Sequence, residues 1–76
     1  MNEKDKRRQM SEIAKRIEEY VGYAGKTLHQ VSQEMGLHED SLYTYTNRLS
    51  VPSVLILKRL CKVLDCTYED ILGQPE

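Results

Sequence analysis

From Met10 onward the apolar side chains fall at Met10, Ile13, Ile17, Tyr20 and Val21, and steps of three and four predict a helix that ends at Gly22 or Gly25. The preceding "NEKDKRRQ" has no apolar residue, so it either extends that helix or forms a basic arm. Thr27 followed by Gln30 is a capping-box pattern, and Leu28, Val31 and Met35 then share a face, which predicts a short second helix stopped by Gly36. After Pro52, Ser53 can cap a helix whose core face is Val54, Leu57, Leu60, Cys61 and Leu64. Thr67 with Asp70 opens a last short helix carrying Tyr68, Ile71 and Leu72 and closed by Gly73, which leaves residues 74–76 as a tail.

The stretch "HEDSLYTYTNR", His38 to Arg48, alternates in the way a strand does. A strand would put Leu42, Thr44 and Thr46 on one face and Tyr43 and Tyr45 on the other, which buries nothing coherent. A helix gathers Leu42, Tyr45 and Leu49 on one side, with Leu37 at the entry, and the chain offers no second strand as a partner. The expectation is therefore a third helix over 38–48, with Glu39 and Asp40 in its first turn near the positive end of its dipole. Asp40, Tyr43, Thr44 and Asn47 point outward in that arrangement. The fold class is all-α, with five helices in one domain over 10–73.

Composition narrows what such a fold can do. Seventy-six residues without Trp or Phe leave little room for a deep pocket, and no segment is apolar for long enough to span a membrane. Two cysteines and no N-terminal apolar run point to a reducing, cytoplasmic setting. Cys61, Cys66, His29 and His38 match no zinc-finger spacing, and Cys61 belongs to a core stripe, so no metal site, cofactor or small-molecule substrate is expected. A catalytic Cys-His pair would lack the surrounding pocket and oxyanion donors, which makes the chain a non-enzyme. The net charge is only −1, yet residues 1–16 carry an excess of +3 and residues 65–76 one of −4. That asymmetry suits a molecule with one side toward a polyanion, although a solvated surface would look the same.

Two short helices joined by a Gly-Leu turn, at about 27–47, make a helix-turn-helix. With "IAKRI" before it and "PSVLILKRLCKVLDCTYEDIL" after it, the segment from Ile13 to Gly73 resembles the Cro/C1 (Xre-type) family of bacterial and phage repressors. The resemblance implies a compact five-helix, lambda-repressor-like domain that binds double-stranded DNA, usually as a homodimer on a two-fold operator. It implies base reading by His38, Glu39, Asp40, Tyr43 and Thr44. Phosphate contacts would fall to Thr27, Leu28, Ser41, Asn47, Arg48 and Ser50, with Lys6, Arg7 and Arg8 available as an arm.

Departures from the family pattern matter here. Leu28 stands where a glutamine is frequent, and Glu39 and Asp40 stand where Arg or Gln is common; among major-groove edges a carboxylate accepts only from a cytosine amino group. A frequent Arg-Glu brace between helices one and three falls on Val21 and Thr46, so an apolar contact is expected there. The usual glycine after helix three is Arg48. Tyr43 and Thr44 either touch bases or decorate a solvated helix, Glu39 and Asp40 either read bases or complement a dipole, and Tyr45 belongs to the core. Leu55, Ile56 and Val63 exceed the narrow core stripe and form either a self-association face or the edge of a broad core. The resulting function is a sequence-specific transcriptional regulator of the repressor kind. The acidic "HED" and Leu28 support an alternative, a helix-turn-helix turned to protein binding as an antitoxin-like or anti-repressor module.

Overall fold

The computed structural model describes residues 3–47 and 50–73. Its five helices are α1 (Glu3–Tyr23), α2 (Leu28–Glu34), α3 (Tyr43–Thr46), α4 (Val54–Leu64) and α5 (Tyr68–Leu72), and no strand occurs among the described residues. α1 packs on α3 and α5, α4 on α2 and α5, and α1 also touches α2. Ile17, Val31, Leu42, Leu60 and Ile71, one from each helix or its immediate flank, have no exposed surface, so the core is a single cluster. Ala14, which the stripe of large residues passes over, is equally buried.

α1 starts earlier than the apolar stripe. Residues 3–9 are helical and exposed, so Lys6, Arg7 and Arg8 sit on a rigid extension rather than in an extended arm. Lys, Arg, Glu and Gln all favour helix, and the packed turns behind them supply the nucleus from which it propagates.

Both capping boxes form. The Gln30 amide donates to Thr27 Oγ1 at 3.1 Å while the Thr27 amide donates to Gln30 Oε1 at 2.9 Å. Asp70 and Thr67 repeat the exchange at 3.2 and 2.9 Å. Ser53 Oγ accepts from the Ile56 amide at 3.3 Å and starts α4. Gly36 follows α2 with φ of 76°, the left-handed conformation in which a side chain would be strained.

The third helix is much shorter than expected. α3 covers only Tyr43–Thr46, and residues 39–42 form turns whose amides bond three residues back, Ser41 to His38 and Tyr43 to Asp40. Local side-chain competition explains this, since His38 Nδ1 takes the Asp40 amide at 3.3 Å and the β-branched threonines at 44 and 46 weaken propagation. Glu39 and Asp40 therefore precede the helix and do not complement its dipole. The inward set is nonetheless present where described: Leu42 is fully buried, and Tyr45 and Leu37 pack on the core. Arg48 and Leu49 lie outside the described residues.

α4 departs from expectation at its start. Val54 is 77% exposed, because a first-turn side chain leans back past the helix end. Pro52, two residues earlier, is the one that is buried. In α5 only Ile71 is buried, while Tyr68 and Leu72 are largely exposed.

Two polar links tie α1 to the C-terminal helices. Tyr20 and Asp70 share a hydrogen bond; desolvation first, then the Asp70 charge, raises the Tyr20 phenol above its ordinary value. The Asp70 carboxyl is held low chiefly by the Thr67 amide. Arg16 lies against Gly73, where a Cβ would meet its guanidinium at 2.8 Å, so its charge sits at the carbonyl end of α5.

Candidate nucleic-acid interface

The geometry of the helix-turn-helix rests on Ser32, fully buried in the middle of α2. Its Oγ accepts the Leu42 amide at 3.4 Å, and its backbone carbonyl accepts the Leu37 amide at 3.0 Å. One small residue thus holds both ends of the turn that leads into α3. At the positions where an apolar contact between α1 and α3 is expected, Val21 is 4% and Thr46 5% exposed, and the Thr46 hydroxyl donates to the Tyr43 carbonyl of its own helix at 3.5 Å.

With Leu42 inward, Tyr43 is 43% exposed and Thr44 is exposed beside it. His38, Glu39 and Asp40 are exposed in the preceding turn, and Asn47 is exposed just after α3. Of the expected phosphate contacts, Thr27 is exposed, but its hydroxyl is occupied by the cap. Leu28 turns its side chain to the core, which leaves its amide at the open end of α2. Ser41 and Ser50 are half-buried, and Ser50 Oγ donates to the Val51 carbonyl at 3.5 Å.

Charges near the turn are partly committed. Lys26 Nζ bonds Glu34 at 2.9 Å, so it is less free for a phosphate. His29 Nε2 lies 3.0 Å from Glu39 Oε2. The ligand atoms of His29, Glu39 and Asp40 all fall within 4.8 Å of one another. That cluster joins α2 to the turn across ten residues of chain, a separation that gives no local signal in the sequence. The four residues weighed from sequence as metal ligands are divided otherwise: Cys61 and Cys66 are free thiols at the end of α4, remote in sequence from this turn. Burial first, then the neighbouring Cys61, pushes the Cys66 thiol up to about 12.

On the far side of α4, Leu55 is 72% exposed, whereas Ile56 and Val63 pack against the core. The three therefore do not form one face. Val51 and Val54 are the exposed apolar neighbours of Leu55.

The family model for the Cro/C1-type helix-turn-helix DNA-binding domain matches residues 16–75. No curated protein and no solved structure matches the chain.

Proposed function

The chain belongs to the Cro/C1-type helix-turn-helix DNA-binding family, and from that premise we propose that it is a sequence-specific transcriptional regulator acting as a repressor by occupying an operator. The observation that supports this most is the pairing of buried Leu42 with exposed Tyr43 and Thr44 on α3, which offers a methyl, a hydroxyl and an aromatic ring to a groove. Thr27, Leu28, Ser41, Asn47, Arg48 and Ser50 are the proposed phosphate contacts, and His38, Glu39 and Asp40 flank the base-reading pair. A four-residue α3 presents few side chains, so phosphate contacts carry most of the affinity and two subunits are needed to engage enough of them.

Selection of bound sequences from random duplex DNA at two ionic strengths tests the reading. The expected result is a two-fold-symmetric motif and a steep loss of binding with salt, about 0.9 in logarithmic slope per phosphate neutralised. Recovery of random sequence at both strengths would sink it.

A second reading has its own support. Glu39 and Asp40 are exposed on the side that would meet phosphate, and Val51, Val54 and Leu55 are exposed together, features that suit an antitoxin-like or anti-repressor module binding protein. Salt-insensitive capture of a protein, with no duplex selected, would favour it.

A further inference from the structure

The geometry points to a binding site for a divalent first-row transition ion at the turn of the helix-turn-helix, with His29 Nε2 and the carboxylates of Glu39 and Asp40 as ligands. The three come from two separate elements, α2 and the turn before α3, and their ligand atoms lie within 4.8 Å of one another. Bonds of about 2.0–2.2 Å to nitrogen and carboxylate oxygen place neighbouring ligand atoms about 3 Å apart. The 3.0 Å between His29 Nε2 and Glu39 Oε2 already has that value, so only the Asp40 carboxylate needs to swing inward. One imidazole with two carboxylates selects zinc, cobalt or manganese over calcium, and water completes the coordination because all three residues are exposed.

The ion would take the place of the direct His29–Glu39 contact, because the Nε2 lone pair and a carboxylate oxygen would both be given to the metal. It would also answer the electrostatic difficulty of this face. The exposed carboxylates of Glu39 and Asp40 repel phosphate, whereas a divalent cation between them offsets their charge and fixes the turn to α2. The effect on DNA rests on the function proposed above; binding of the ion does not.

The test uses Co²⁺ as the probe on the full chain, read by calorimetry and by visible absorption. The expected result is one equivalent bound without a thiolate charge-transfer band, with affinity reduced tenfold or more by His29→Ala and by Glu39→Gln. Glu69→Gln, on α5, should leave it unchanged. All three substituted residues are exposed, and unaltered helical circular dichroism verifies their folding. Absence of binding, affinity unchanged by both His29→Ala and Glu39→Gln, or a thiolate band from Cys61 and Cys66 would overturn the site. Duplex binding is then compared with Co²⁺ and with chelator. A rise of several fold with Co²⁺ supports the charge-cancelling role, and no rise removes that role. If no duplex binds in either condition while Co²⁺ still binds, the DNA reading fails and the ion site stands.

Discussion

Ser32 carries more of the geometry than its size suggests, since its hydroxyl is the acceptor for a buried amide at the entry to α3. Ser32→Ala leaves the Leu42 N–H without that partner and should cost about 1–3 kcal/mol, measured as a lowered urea midpoint. An unchanged midpoint would show that the amide finds another acceptor. Thr44→Ala should relax preference at one base pair by ~1–3 kcal/mol while leaving the fold intact; binding to single-base variants of a selected operator checks it. The half-buried position of Cys66, together with its raised thiol, predicts slow alkylation of the native protein at neutral pH and faster alkylation once urea unfolds it. Side chains of this kind divide according to how local their cues are. The caps at Thr27, Ser53 and Thr67 were legible because each is a pattern of a few adjacent residues. Ser32 and the His29–Glu39 contact were not, because a serine inside a helix and a pair ten residues apart look ordinary until the chain folds.

At the scale of elements, periodicity located every helix, left one end open and misjudged two. It left the first seven residues of α1 open between helix and arm, because their helicity comes from propensity and propagation rather than from an apolar stripe. It lengthened α3, where side-chain hydrogen bonds and β-branching compete with the helix. It also buried Val54, whose stripe position is sound but whose first-turn location carries it past the core. The capping boxes make quantitative predictions at this scale. Thr67→Ala should lower stability by about 1 kcal/mol, seen as a drop in thermal midpoint. Asp70 adds a pH dependence with a defined sign. Its folded value lies below the ordinary carboxylate value, so its contribution is complete above about pH 4 and is lost as pH falls through the folded value. Thr67→Ala should flatten that acid limb in a stability-versus-pH curve, and a parallel limb would assign it to other carboxylates.

At the scale of the molecule, the exposed apolar surface bears on the subunit arrangement that operator binding needs. If Val51, Val54 and Leu55 join two copies, Leu55→Lys should give a folded monomer in sedimentation and weaken operator binding far more than any change confined to one subunit. A dimer that survives this substitution would place the interface elsewhere.

α1 has 21 residues and at 1.5 Å per residue runs about 31 Å. Its first two turns therefore act as a spoke with a fixed bearing, and Lys6, Arg7 and Arg8 ride at its tip with their azimuth set by the buried stripe far below. Inserting a single residue between Gln9 and Met10 would swing those cations by about 100° around the axis without disturbing anything packed. Their direction relative to a bound duplex thus becomes an adjustable dial, set by the length of the spoke rather than by the identity of its charges.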